Sequence, residues 1–487
     1  MVLNYTAIVK LSGIIIVILA CLMLPSLLVS VIYGESDAAS AFTATILPML
    51  VVGIIVSFSV KADFAHLKIR DGFAIVALCW TLGSVLGAIP FTISGYIPNF
   101  CDAFFETVSG FTTTGSSILR DIESLPKGLL FWRSFTHWIG GMGIIVFAIA
   151  LLPMLGISGQ RIAKAETTGP VFGKLTPKLT DSAKILYLIY VGMTVLEVAL
   201  LMLGGMSLFD ALINTFGSVG TGGFSNYNIS ITHYNNLYFE MVITVFMFMA
   251  GLNFTLYYYV LKGRWSEFFS DRELRTYFMI FSGSVILIAI NLWTSGVYHS
   301  PVQSLRFSLF QSASIMTTTG FASTDFDLWP SFSKMILFIL MFIGGCSSST
   351  SGGIKVVRIL LLFKLIKRGI AIRLHPRAVI AIKINDKPVS ADTLSSVVNF
   401  VYLYFVVFFL GAILLSLENF DLITTFSAVA ACLGNIGPGF SLVGPVLNFS
   451  LFSAPSTFML AVIMLIGRLE LFTIILLFTR QFWNPDK

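Results

Sequence analysis

The chain has 487 residues, of which 56% are hydrophobic and only 11% charged, and its mean hydropathy is +0.90. A soluble domain is about 25% charged, so this composition cannot solvate a protein of this size, and lipid must be the solvent for most of it. The net charge of +6 therefore reads as basic loops on one membrane face and not as a nucleic-acid-binding surface.

Apolar runs of the roughly 20 residues a membrane helix needs lie at 11–32, 41–60, 72–97, 129–155, 183–203, 237–261, 277–293, 332–363, 395–417 and 456–478. The expected fold class is an all-α polytopic membrane protein with about ten transmembrane helices. The first run is read as a retained helix, because it is long for a signal-peptide core and lacks a clear cleavage site. Lys/Arg residues fall in alternate loops: Lys61, Lys68 and Arg70; Arg161, Lys164, Lys174, Lys178 and Lys184; Lys262, Arg264, Arg272 and Arg275; Lys367, Arg368, Arg373, Arg377, Lys383 and Lys387; then Arg480 and Lys487. This bias puts both termini in the cytoplasm. Cys21, Cys79, Cys101, Cys346 and Cys432 have neither CxxC nor metal-ligand spacing and give no disulfide framework or zinc site.

After two N-terminal spans (1–71), one unit recurs four times, over 72–182, 183–275, 276–390 and 391–487. Each has a span, a short apolar segment ending in a Gly/Thr/Asn stretch, and a second span. The stretches centre on Thr112, Thr113, Thr114 and Gly115; on Gly220, Thr221, Gly222 and Gly223; on Thr317, Thr318, Thr319 and Gly320; and on Gly434, Asn435, Ile436 and Gly437. The preceding segments are too short to cross a bilayer, so they are re-entrant half-helix candidates. Asp102 and Asp210 stand 13 residues before Gly115 and Gly223, whereas Asp421 stands 16 before Gly437. The fourth copy is thus expected to carry an insertion or extra turn, with an Asp capping each of these three half-helices. The third copy lacks the Asp and has Arg306 nearby.

Non-helical backbone at membrane depth is tolerated only beside protein or a water-filled path. Four such loops suggest one shared path, where carbonyl oxygens replace a cation's hydration shell and glycine permits the backbone turns required. Hydroxyls of Thr112, Thr113, Thr317 and Thr318 are candidate further ligands. The loops hold no Asp or Glu, which argues against a divalent site and for weak monovalent binding. A single stretch of this kind would read as an ordinary turn; four at one place in a repeat do not.

The segments VSGFTTTGSS (108–117), TFGSVGTGGFS (215–225), SIMTTTGFAS (314–323) and AVAACLGNIGPGFS (428–441) resemble the four pore loops of the Trk/Ktr/HKT potassium-transporter superfamily. The similarity covers nearly the whole chain, and the two extra N-terminal spans resemble the TrkH branch. The resemblance implies four helix–pore-helix–helix units around one pore, with Gly115, Gly223, Gly320 and Gly437 as filter glycines. Glycine at the first of these, where some sodium-favouring plant relatives have serine, implies potassium. It also implies a homodimer in the bacterial cytoplasmic membrane and a cytosolic ring of TrkA type, docked on the basic loops 156–184 and 364–390. Nucleotide is expected on that partner and not on this chain. The fourth loop departs from the pattern at Asn435 and Pro438.

The run 332–363 is interrupted by Gly344, Gly345, Cys346, Ser347, Ser348, Ser349, Thr350, Ser351, Gly352 and Gly353, a composition that cannot hold a lipid-facing helix. It reads as a gate beneath the third loop, or else as a passive kink. Arg468, inside the last span, reads as a group that holds this segment closed, or else as a structural pair with a carboxylate. Residues two apart do not share a helix face, so Glu470 is a poor partner for it. Lys355 and Arg358 read as snorkelling anchors, with tuning of the exit as the alternative.

No P-loop, HExxH or nucleophile elbow is present and the five histidines (His66, His137, His233, His299 and His375) form no cluster, so an enzyme is not expected. The serious rival to a channel-like pore is a proton- or sodium-coupled symporter with alternating access. Glu197 and Glu470 are its candidate intramembrane carboxylates.

Overall fold

The structure is a computed structural model that describes residues 3–62, 68–143 and 179–483. His66, Arg161, Lys164, Lys174, Lys178, Lys487 and most of the 156–184 loop lie outside the described residues. Among the described residues the chain is helical apart from a two-stranded antiparallel hairpin, β1 (Lys383–Ile384) and β2 (Lys387–Pro388).

Two N-terminal helices, α1 (Tyr5–Ile32) and α2 (Ser36–Ser59), form a hairpin. Small residues let their backbones approach: a Cβ on Gly13 would meet Val56 at 2.8 Å, and one on Gly53 would meet Val17 at 2.7 Å. The turn between them supplies Glu35, whose carboxylate accepts the N–H groups of Lys127 (2.6 Å) and Gly128 (2.9 Å). It therefore sits at the positive end of α5 (Lys127–Gly141) and fixes the hairpin to the first repeat.

Each repeat contributes an outer helix, a half-helix and an inner helix. They are α3 (Ile69–Ile93), α4 (Phe100–Phe111) and α5; α6 (Leu179–Leu203), α7 (Leu208–Val219) and α8 (Leu237–Ala250); α11 (Arg272–Thr294), α12 (Pro301–Met316) and α13 (Ser331–Phe342); and α15 (Ala391–Leu415), α16 (Leu422–Gly434) and α17 (Ala454–Arg468). The short helices α9 (Phe254–Leu261) and α10 (Trp265–Ser270) follow the second repeat, α14 (Val356–Leu374) the third and α18 (Phe472–Ile475) the fourth. A 12-residue half-helix such as α4 is about 18 Å long, so it reaches only part of the way through a hydrocarbon core of roughly 30 Å.

The half-helix caps correct two expectations. Asn99, Ser207 and Asp421 are the N-caps of α4, α7 and α16, each accepting a backbone N–H in the first turn. Asp102 and Asp210 lie inside the first turn, where their charge still suits the helix dipole. The three caps stand 16 positions before Gly115, Gly223 and Gly437 alike, so the fourth copy has no insertion. The longer copy is the third: α12 has 16 residues, with its N-cap Ser300 20 positions before Gly320.

Among the described residues six helices are long and apolar enough to cross a membrane, and two bent pairs, α8/α9 at 97° and α17/α18 at 114°, bring the number to eight. The predicted run 129–155 is described only as far as α5 and the two residues after it, and the run 332–363 divides into α13 and α14.

Candidate functional site

The four loops close into one ring. In each, left-handed φ recurs at every second residue: Thr113 and Gly115 (54° and 81°), Thr221 and Gly223 (55° and 77°), Thr318 and Gly320 (57° and 85°), Asn435 and Gly437 (55° and 106°). This alternation turns successive carbonyls to the same side. A positive φ is rare for β-branched threonine and costs on the order of 1–3 kcal/mol, yet it recurs in three of the four loops. Space enforces the glycines as well. A Cβ on Gly115 would lie 2.0 Å from the Gly222 carbonyl oxygen, on Gly223 2.0 Å from that of Thr319, on Gly320 1.9 Å from that of Ile436, and on Gly437 2.8 Å from that of Thr114. Each loop thus abuts the next, and the fourth returns to the first.

Side chains brace this ring differently in each repeat. In loops one and three the hydroxyl pairs Thr112···Thr114 (2.7 Å) and Thr317···Thr319 (2.8 Å) form, while Thr112 and Thr317 also donate to Val108 and Ala313 carbonyls, both at 2.7 Å. The hydroxyl hydrogens of Thr112 and Thr317 are therefore spent on helix carbonyls, which leaves their oxygens as acceptors. Thr113 keeps a buried hydroxyl with no protein partner, whereas Thr318 Oγ1 accepts the Gly352 N–H at 2.7 Å. In loop four, Asn435 donates to Thr114 Oγ1 and the Met464 carbonyl, both at 3.0 Å, and Ser116 donates to the Gly437 carbonyl at 2.9 Å.

Beneath the ring, all four inner helices break at one level. The breaks follow Gly141, Ala250, Phe342 and Arg468; sequence reasoning found only the third. Residues 344–353 are packed into this level. The N–H of Cys346 donates to the Gly251 carbonyl (2.8 Å), the Thr350 hydroxyl to the Ala250 carbonyl (3.1 Å), and the N–H of Phe254 to the Ser348 carbonyl (3.1 Å). Gly344, Gly345, Ser349, Ser351, Gly352 and Gly353 complete the stretch. A Cβ on Gly352 would meet the Gly434 carbonyl at 2.5 Å, so the segment lies directly against the fourth loop. Arg468 donates to the carbonyls of Thr350 (2.8 Å), Gly140 (2.7 Å) and Gly141 (3.2 Å), tying the breaks of repeats one, three and four together.

Four further charges act here. Glu273, unremarked in the sequence, accepts from the N–H and hydroxyl of Ser347, both at 2.6 Å, and from the N–H of Val357 at 3.2 Å. Lys355 and Arg358 are buried, which corrects their reading as snorkelling anchors. Lys355 Nζ donates to the Ser351 carbonyl at 2.5 Å. Arg358 pairs with Glu470 at 2.6 Å and lies 3.7 Å from the Phe400 ring centre. Glu470 is thus turned to Arg358 while Arg468 is turned to carbonyls.

Sequence reasoning also undercounted buried carboxylates. Glu106 pairs with Arg133 at 2.5 Å and Glu240 with Arg306 at 2.7 Å. Glu197 accepts the Ser218 hydroxyl at 2.6 Å through one oxygen, and its other oxygen has no protein partner. Arg133 and Glu240 lie inside predicted spans, and a charge at that depth was the available signal. Among the described residues no group of three or more His, Cys, Asp or Glu is placed to hold a metal ion. The oxygen donors gathered by the ring are carbonyls and hydroxyls, which suit a weakly held monovalent cation.

Residues 38–484 match the TrkH family, described as cation transport protein. The chain is 37% identical to the Trk system potassium uptake proteins TrkH of Salmonella typhimurium and Escherichia coli K12 over 485 residues, covering 99% of this chain and 100% of each relative. The crystal structure of the potassium transporter TrkH from Vibrio parahaemolyticus superposes with a TM-score of 0.88 at 35% identity, covering 99% of this chain and 100% of that one. With the match running from the second helix to the C-terminal segment and the fold shared end to end, the chain belongs to the TrkH family of cation transport proteins.

Proposed function

We propose that this chain takes up potassium across the bacterial cytoplasmic membrane through a gated, channel-like pore selective for K⁺ and Rb⁺. The observation that carries this reading is the closed ring of four loops, in which left-handed φ alternates and a neighbour's carbonyl occupies each space where a glycine Cβ would stand. Such a ring offers a cation backbone oxygens in place of water and holds no carboxylate that would bind it too tightly to leave. The relatives' potassium uptake supports K⁺ as the cargo.

Residues 344–353 are the gate in this reading, locked by Arg468, whose positive charge beneath the ring also opposes cation passage. The working unit is a homodimer controlled by a cytosolic nucleotide-binding ring. That ring docks on the basic face that carries β1 and β2, and lipid covers the exposed apolar outer faces. Both termini lie in the cytoplasm.

The test is flux into liposomes that hold the purified chain, with K⁺, Rb⁺, Na⁺ or Li⁺ as the permeant ion and no pH gradient. Voltage-driven uptake of K⁺ and Rb⁺ with little Na⁺ or Li⁺ is expected. Uptake that requires a proton or sodium gradient would replace the channel with a coupled symporter.

A further inference from the structure

The second loop differs from the others in having almost nothing of its own to hold it. Gly220, Thr221, Gly222 and Gly223 offer one side chain, and the Thr221 hydroxyl is spent on the neighbouring Gly220 carbonyl at 2.7 Å. Loops one and three have their threonine pairs, and loop four has Asn435.

The support comes from α5 of the first repeat. His137 Nδ1 lies 2.7 Å from the Gly110 carbonyl oxygen, and its Nε2 lies 3.2 Å from the Phe224 backbone nitrogen. A carbonyl only accepts and an N–H only donates, so the ring is neutral with its proton on Nδ1. It bonds the end of the first half-helix on one side and the residue after Gly223 on the other. The imidazole also fills the space beside Gly222, where a Cβ would lie 2.3 Å from the ring. One helical turn earlier, Arg133 donates to the Ser225 carbonyl at 2.9 Å and is held by Glu106 at 2.5 Å. The Phe224 ring packs against both, with the Arg133 guanidinium 3.5 Å and the His137 ring 4.2 Å from its centre. Four residues before the glycines at the other three breaks (Gly251, Gly344 and Gly467) stand Met247, Leu340 and Ile463, all buried and apolar. The polar brace therefore belongs to one quarter of the ring.

We propose that His137 is a positioning residue that sets the ion selectivity of the pore by fixing the backbone of the second loop, through its Nε2 acceptor to Phe224. The proposal rests on the reading of the loops as a filter. It assigns the specificity of a glycine-rich loop to a side chain of the preceding repeat that touches no ion.

The test compares Rb⁺ and Na⁺ flux in liposomes for the wild type and for His137→Leu, His137→Gln and His137→Asn, with melting temperature followed in parallel. Gln carries an amide oxygen that reaches the Nε2 position, whereas Asn reaches only the Nδ1 position. The Rb⁺/Na⁺ ratio is expected to fall about tenfold, the scale of one lost buried hydrogen bond, in the Leu and Asn variants and to stay near wild type in Gln. Equal ratios in all four proteins, or a lowered melting temperature without a changed ratio, would overturn the proposal. So would failure of all three variants to fold, because the side chain would then hold the fold and not the loop. A wild type that does not discriminate Rb⁺ from Na⁺ would instead remove the filter reading itself.

Discussion

The ring of loops and the polar level beneath it are built from the same four repeats, yet they treat the repeat oppositely. In the ring the backbone is nearly fourfold: the same two φ signs recur in every loop and each glycine faces the neighbour's carbonyl. One level below, among the described residues, the third repeat packs residues 344–353 against the other repeats, and the fourth supplies Arg468, whose guanidinium donates to three backbone carbonyls. A cation without directional preference is served by equivalent oxygens, so the near-symmetry of the loops is what the proposed filter requires. The proposed gate requires one object in the centre of a path, and the asymmetry of the level below suits that role.

The comparison breaks most severely if the ring is deformed. Gly320→Ala would place a Cβ 1.9 Å from the Ile436 carbonyl oxygen, at a φ of 85°. Backbone must move on both sides, so Rb⁺ flux is expected to fall on the order of 100-fold, the equivalent of about 3 kcal/mol. Gly283→Ala, on α11 with open space around the added carbon, is the control expected to conduct normally. Measuring both in liposomes decides whether the ring or general helix damage is responsible.

The level below is tested by Arg468→Ala. It removes donors to the Thr350, Gly140 and Gly141 carbonyls and is expected to raise basal flux about tenfold, since hydrogen bonds from a charged group each contribute about 1.5–3 kcal/mol. A folded variant with normal or lower flux would show that Arg468 is structural. Glu273→Gln loosens the other end of the same segment, at Ser347 and Val357, and is expected to raise flux only a few-fold, because an amide still offers one acceptor oxygen. If both residues hold one closed state, the double variant should fall short of the product of the two single effects.

What the sequence made legible follows from the same contrast. The loop glycines could be read because φ and space both demand one residue type at four repeating places. Glycines such as Gly141 and Gly251 gave no such warning, since glycine is common in membrane helices and only its neighbours decide whether the helix breaks. The pairs Glu106–Arg133 and Glu240–Arg306 join residues 27 and 66 positions apart, so each charge was visible but its partner was not. The aspartates misled because a charge in the first turn and a cap on the N-terminus look alike until the backbone is seen. Asn99, Ser207 and Asp421 restore the equal spacing. The expectation of a protein partner rests only on the family resemblance, since no pattern in the basic loops separates such a partner from an anionic lipid surface.

The finest test uses two threonines that occupy the same place in different repeats. Thr113 and Thr318 share a φ of 54° and 57°, so replacing either by valine keeps the β-branch and its strain and removes only the hydroxyl. In the first repeat that hydroxyl has no protein partner, and its loss should leave folding stability unchanged within about 0.5 kcal/mol. If the oxygen serves the ion, the Rb⁺ concentration for half-maximal flux should rise about two- to threefold in Thr113→Val. In the third repeat the hydroxyl accepts the Gly352 N–H, the bond that ties the ring to the segment below. Thr318→Val leaves that buried donor without an acceptor, so the closed arrangement loses about 1–3 kcal/mol and basal flux should rise. One substitution would thus weaken ion binding in the ring while its symmetry mate loosens the lock. Identical responses from the two would mean that the ring and the level beneath it act as one rigid body.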